Sequence, residues 1–335
     1  TIGVTTYDRE EMLKENLNSI FNQTFSDYEV IVSNDNPQRK ISGRYAGLYD
    51  SRFKFIDQEL NRGEIFNMNY MLQKSSGRYF TWISDDDLYL PGFLSSAYQT
   101  LAKYSFPKCV FTSCKIFQKE IPVIRIDNFN HKDELLSGDE FLYRYFKGKL
   151  KTMGIMGLFE SKTFKEIGGM DDICGDGTGI FSEYMLFVKC GMLDKIAYIN
   201  LPLFLSRCHE GSLSYKDIDL DRHRRGADNL AHRCIEIFKN PVLKNHLYTY
   251  LYSVLNESIV SNLTIMSRRK NMGDKSVKKV IAYFIYARRY INSLKASRLY
   301  LIGLIVLIHV EINIILCFMG RMIGKRLNKI YEYYN

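Results

Sequence analysis

No Cys-x-x-Cys pair occurs in these 335 residues; the seven cysteines, at 109, 114, 174, 190, 208, 234 and 317, are odd in number and scattered. That pattern argues against a disulfide framework and against a zinc site, and a reducing cytosol is its simplest home. No signal peptide, internal repeat or low-complexity segment is visible, and the sequence starts at Thr1 already inside a strand-like run. The charge is unevenly placed. Residues 266–335 hold 14 Lys/Arg against Asp274, Glu311 and Glu332, a net of +11, whereas the first 265 residues carry a net of −2. The positive charge sits beside the most apolar stretch of the chain, which points to an anionic membrane surface and speaks against nucleic acid.

What is present is ordinary globular material. Apolar residues make up 46% and charged residues 25%, enough for a sizeable core. Aromatics at 14% suit a sugar-binding cleft or a membrane interface equally. The first hundred residues alternate strand and helix signals. Ile2–Thr6, Tyr28–Val32, Phe53–Ile56 and Tyr79–Ile83 read as short strands. Leu13, Leu17, Ile20 and Phe21 recur at helical spacing after Asp8 and Glu11, which resemble a capping box, and Glu64–Lys74 reads as a second helix. This order predicts an α/β domain with a mainly parallel sheet flanked by helices. Ligands of such sheets bind beyond the carboxyl ends of the strands. The polar clusters at 5–9, 33–37 and 84–87 all follow strands, so the topology gathers them on one rim.

Further on, Cys109–Phe117, Val123–Ile126 and Ile196–Ile199 look like strands. Ser137 and Glu140 cap a helix through Phe146; Ser161–Ile167 is a helix stopped by Gly168-Gly169, and Ser182–Cys190 one stopped by Gly191. Past about residue 216 helical signals dominate. The expected division is a catalytic domain over 1–215 and a basic, helical, membrane-associating region over 216–335.

The sharpest local feature is Asp85-Asp86-Asp87 at a strand end. Three adjacent carboxylates repel one another unless a cation neutralises them, and hard cations such as Mn²⁺ or Mg²⁺ take carboxylate and phosphate oxygens. On a strand-like backbone Asp85 and Asp87 share one side, a metal-facing pair, leaving Asp86 for a ribose or another hydroxyl. The plain alternative is a solvated acidic turn before Pro91.

Several motifs in fixed order carry a resemblance over Thr1 to about Ser214. Thr5-Thr6-Tyr7-Asp8-Arg9, Ser19-Ile20-Phe21-Asn22-Gln23-Thr24, Glu29-Val30-Ile31-Val32-Ser33-Asn34-Asp35, Asn61-x-Gly63 with Asn69, Gly77-Arg78-Tyr79, the acidic triplet with Pro91, and Gly168-Gly169-Met170-Asp171 appear in turn. Together they resemble a family 2 glycosyltransferase of the GT-A (Rossmann-like) fold, the inverting type that builds bacterial surface polysaccharides. The resemblance implies that Thr5, Tyr7, Arg9 and Asp35 line the nucleotide site, with Asn69, Asp85, Asp86 and Arg207 also touching substrate. It implies a divalent metal ion, Mn²⁺ or Mg²⁺, held by Asp85, Asp87 and His209. It places the general base at Glu183, where the family has the Asp of a Glu-Asp pair; Asp171, Asp172 and Asp176 are the reserves. The plain alternative for Glu183 is a carboxylate favoured by a helix N-terminus. Departures are real: the family's Pro and Asn are missing around Thr5–Arg9, Asp35 stands alone where the family has two acids, and Met68 replaces an Arg.

The implied activity is transfer from a nucleotide sugar, a UDP-sugar first, to a hydroxyl of a glycan or lipid-linked acceptor, at the cytoplasmic face of the plasma membrane. A nucleotidyltransferase is the competing enzyme class, yet it needs a glycine-rich phosphate loop and Thr5–Arg9 has no glycine. A non-catalytic membrane-associated scaffold is the other alternative. Residues 299–319 form an apolar run of near-spanning length, flanked by Lys and Arg, read as attached to the membrane rather than fully crossing it. The basic cluster Arg222, His223, Arg224, Arg225 reads as a solvated helix face, or as a contact for an anionic acceptor.

Overall fold

A computed structural model describes residues 1–268 apart from 46, 48, 125–132, 155, 213–218 and 244, together with 300–309 and 312. The chain divides into two compact units, Thr1–Tyr215 and Lys216–Asn335. In the first, the elements in chain order are β1 Ile2–Thr6, α1 Glu10–Phe21, β2 Val30–Asn34, α2 Ser42–Tyr45, β3 Phe53–Asp57, α3 Glu64–Lys74, β4 Tyr79–Ser84, β5 Leu88–Tyr89 and α4 Phe93–Lys103. There follow β6 Cys109–Phe117, β7 Asp133–Leu136, α5 Gly138–Phe146, β8 Gly157–Glu160, α6 Ser161–Glu166, α7 Ser182–Cys190 and β9 Ile196–Arg207. The second unit contributes α8 Leu220–Phe238 and α9 Leu247–Arg268, and 300–309 are helical.

One sheet runs in the order β3-β2-β1-β4-β8-β6-β9-β5, with β7 on β9. The half built from β3, β2, β1 and β4 is parallel throughout. Beyond β4 the pairing turns mixed, because β8 meets β4 and β6 antiparallel while β6 and β9 run parallel. Strands of the parallel half read as continuous buried runs, as expected where both faces are covered. α1 covers this half with Leu13, Leu17 and Ile20, three fully buried side chains on one helical face, each worth about 1.5–3 kcal/mol of apolar burial.

Three local expectations change. Asp8 does not cap α1: the helix begins after Arg9 without a side-chain cap, and Asp8 adopts a left-handed backbone (φ 59°) and pairs with Arg39. The strand foreseen at Ile196–Ile199 continues to Arg207, because the register of β9 on β6 shifts between Thr112 and Cys114, where Pro202 enters. A bulge accommodates a residue that lacks an N–H. Of the strand foreseen at Val123–Ile126, only 123–124 are described, and they are unpaired; most of the 299–319 run lies outside the described residues.

Candidate active site

The parallel register fixes the rim. Thr5 stands level with Ser33 on β2 and Ser84 on β4, so the residues that follow each strand emerge side by side. The Asp35 N–H donates to the Thr6 carbonyl at 3.1 Å, and the Asp85 N–H to the Thr5 carbonyl at 3.1 Å. The three polar clusters therefore meet as the topology requires.

The acidic triplet is a turn, not a strand: the Asp87 N–H closes on the Ser84 carbonyl at 3.2 Å, so the alternation expected for Asp85 and Asp87 does not apply. Each carboxylate has its own surroundings. Asp85 accepts from Thr6 Oγ1 at 2.6 Å through Oδ2, and its buried Oδ1 lies 3.1 Å from Arg9 Nη1 without a hydrogen bond; burial pushes it up to about 7. Asp86 pairs with Arg9 and with His209 Nε2 at 2.9 Å; although burial opposes ionisation, these partners hold it below the usual carboxylate range. His209 Nδ1 accepts from the Gly211 N–H at 3.1 Å, which leaves Nε2 as the protonated nitrogen facing Asp86. Asp87 accepts the Arg207 N–H at 2.8 Å, and burial, Asp86 and Glu183 together push it well above the carboxylate range.

Glu183 comes to this cluster from the other side of the sheet order. It lies in the first turn of α7, just after Phe181 in a left-handed backbone (φ 64°), and its Cβ rests on Gly154, where an added Cβ would stand 2.6 Å away. Its charge is felt by Asp87 and by Cys114, whose thiol burial pushes up to about 11. The reserve carboxylates hold the preceding loop instead: Asp171 pairs with Lys189, Asp172 accepts from the N–H groups of Gly175 and Gly177, and Asp176 binds Thr178 Oγ1.

Other expected residues divide by position. Thr5 and the exposed Tyr7 edge the rim, and Asp35 is buried beneath it, accepting the Arg62 and Gly63 N–H groups at 3.1 and 2.9 Å. Asn69 gives both ends of its amide to the Met170 backbone, at 2.8 and 2.9 Å, so it ties α3 to the Gly168–Met170 turn. Arg207 binds the Asp86 carbonyl at 2.9 Å, pairs with Glu15 and lies over the Phe117 ring at 4.7 Å, a strut under the turn. Two residues escaped the sequence reading. Asn16, buried on α1, donates to the Ser84 and Asp87 carbonyls at 3.0 and 2.8 Å and so fixes the backbone of the turn. Glu64, first in α3, feels both Arg9 and Asp86. Asn16 is legible only as a polar residue on an otherwise apolar face.

Among the described residues, no group of three His, Cys, Asp or Glu side chains is arranged to hold a metal ion, because Arg9, His209 and the Arg207 N–H occupy the carboxylates. The donor chemistry nevertheless fits a hard divalent cation: oxygen ligands gather, Asp85 Oδ1 lacks a hydrogen bond and has only the Arg9 charge beside it, and Asp87 feels the charge of two further carboxylates.

Residues 1–159 match the family model described as glycosyl transferase family 2. Those residues carry a glycosyl transferase family 2 domain. The chain is 31% identical over 172 residues to the GalNAc(5)-diNAcBac-PP-undecaprenol beta-1,3-glucosyltransferase of Campylobacter jejuni, covering 50% of this chain and 54% of that one. It is 24% identical over 280 residues to an uncharacterized glycosyltransferase of Methanocaldococcus jannaschii, covering 79% and 92%. It spans about half the length of the Campylobacter relative and 45% of a glycosyltransferase of Rickettsia conorii. The crystal structure of S. aureus TarS 1–349 in complex with UDP-GlcNAc superposes with a TM-score of 0.62 at 15% identity, covering 98% of this chain and 92% of that one. At that identity the likeness establishes the fold alone, GT-A.

Proposed function

We propose that this protein transfers a sugar from a nucleotide-sugar donor, a UDP-sugar first, to a hydroxyl of a glycan or lipid-linked acceptor, with inversion, in surface polysaccharide synthesis. One observation carries this reading: Asp87 of the acidic turn feels the charge of Glu183, while Asp35 and Arg9 sit along the same rim. The donor's base and ribose lie toward Asp35 and its diphosphate toward Arg9 and the triplet. Glu183 takes the proton from the acceptor hydroxyl as that oxygen bonds the anomeric carbon. The nucleoside diphosphate departs from the opposite face with the bonding pair, a single in-line displacement. Asp85, Asp87 and His209 are the residues that would hold a divalent cation, His209 only as the neutral imidazole with a ring nitrogen free of its proton. Such an ion, when bound, supplies positive charge against the leaving diphosphate.

The donor class is supported by TarS, crystallised with UDP-GlcNAc and with UDP, and the acceptor class by the lipid-linked substrate in the Campylobacter relative's name. For the second unit the reading is attachment to the cytoplasmic face of an anionic membrane. Among the described residues no helix is long and apolar enough to cross a membrane. Leu301 (72% exposed), Ile305 (54%), Ile308 (55%) and Ile312 (46%) recur at helical spacing, a stripe suited to lying on a bilayer.

The test is a panel of sugar nucleotides with Mn²⁺ or with chelator, scoring released nucleoside diphosphate. The reading expects metal-dependent release from one donor class. Release of pyrophosphate from a nucleoside triphosphate would instead mark a nucleotidyltransferase, and no turnover with any donor would mark a scaffold.

A further inference from the structure

The loop that presents Glu183 is anchored at the start of α3, beside the nucleotide end of the cleft. Asp35 accepts the Arg62 and Gly63 N–H groups. Gly63 has a left-handed backbone (φ 87°) and meets Gly177 backbone to backbone: a Cβ on Gly63 would lie 2.7 Å from the Gly177 carbonyl oxygen, and the Ile65 N–H donates to that oxygen at 3.1 Å. The next residue, Glu64, accepts the Gly179 N–H through Oε2 at 3.2 Å. Gly179 allows this approach because any Cβ there would stand 2.5 Å from the same oxygen. Two residues beyond Gly179 the chain turns left-handed at Phe181, Ser182 Oγ donates to the Asp171 carbonyl at 2.6 Å, and Glu183 enters α7. Burial pushes the Glu64 carboxyl up, opposed by the Gly179 N–H and Arg9.

We propose that Glu64 is a positioning residue of the transferase site: its carboxyl latches the 175–181 loop to the first turn of α3 and thereby sets Glu183 relative to a nucleotide held at Asp35. The proposal rests on Glu183 being the base. Glu64 reaches the loop through the Gly179 N–H, so one substitution at either residue breaks the latch. A residue misplaced by a fraction of an ångström at a proton-transfer site costs rate rather than binding.

Three variants test it: Glu64→Ala removes the acceptor, Glu64→Gln keeps it, and Gly179→Ala pushes the carboxyl away from the loop side. Hydrogen exchange across 177–183 is read on the full chain without donor, beside kcat and donor KM. Glu64→Ala and Gly179→Ala should each speed exchange at Gly179 and lower kcat by roughly 10- to 100-fold with donor KM changed less than about threefold. Glu64→Gln should restore both, and the double variant Glu64→Ala/Gly179→Ala should be no slower than either single one, since both break the same contact. Unchanged exchange in Glu64→Ala, or a kcat equal to wild type while Glu183→Gln is inactive, overturns the latch. Full activity in Glu183→Gln would instead overturn the assignment of the base.

Discussion

The two flanks of the acidic turn are built on opposite electrostatic principles. On the β1 flank, Asp85 and Asp86 face Arg9, with Thr6 and His209 completing their partners. On the β9 flank, Asp87 accepts the Arg207 N–H and the Ser206 hydroxyl, has no cationic side chain against it among the described residues, and feels the charge of Glu183. The chain supplies its own cation to one flank and gathers negative charge on the other. A flank neutralised in advance suits reading and orienting a ligand; a flank left electronegative suits an imported cation and a base that must hold a proton briefly.

The contrast can be broken from its largest expected effect downward. Glu183→Gln keeps the shape and removes the base, so kcat should fall by about 10²- to 10⁴-fold while the nucleoside diphosphate still binds, measured by single-turnover assay and calorimetry. Equal rates would remove Glu183 from the chemistry. Arg9→Ala strips the β1 flank of its cation and leaves two carboxylates facing each other. A loss of about 1–2 kcal/mol in denaturant unfolding is expected, less than for a fully buried pair because the guanidinium is partly exposed, 30% by side chain. Asp87→Asn should act in the opposite sense on the metal-free protein, raising its melting temperature by a few degrees, because it removes a carboxyl that burial and two neighbours disfavour as an anion.

The smallest effect is a pH slope. Asp85 and Asp87 are raised in the fold, so the stability they contribute is fully present below the unfolded carboxyl value, about 3.9, and is lost as pH rises through the folded values, about 7 for Asp85. Asp86, depressed by its partners, has the opposite sign and loses its contribution only on acidification below that range. The metal-free melting temperature should therefore decline between pH 5 and pH 8, and Mn²⁺ should flatten the decline in the native chain but not in Asp87→Asn. A flat profile without metal would mean that the β9 flank is not strained.

The parallel half of the sheet was legible because its strands are short apolar runs, each ending in a polar turn, and the rim followed from the topology. The acidic triplet was legible as composition but not as geometry: a strand alternation was read where Asp87 closes a turn on Ser84. Asp8 and Glu11 have capping-box spacing, yet Arg39 draws Asp8 away, a contact 31 residues distant that no local pattern encodes. The apolar run at Ile196–Ile199 predicts only a short strand, whereas a bulge carries β9 past Pro202 and brings Arg207 and His209 to the triplet. Asn16 and Glu64 act through backbone groups of residues far along the chain, at Asp87 and Gly179, so residue type and spacing do not reveal their partners, and Asn16 shows only as a polar residue on an apolar helix face.

Calorimetric titration of UDP into the full chain, with Mn²⁺ and then with chelator, tests the electronegative flank most directly. Binding should be at least tenfold tighter with Mn²⁺, and this gain should vanish in Asp87→Ala while Arg9 and Asp35 remain in place. Equal affinity with and without the ion, or a gain that survives Asp87→Ala, would contradict a cation site on that side of the turn.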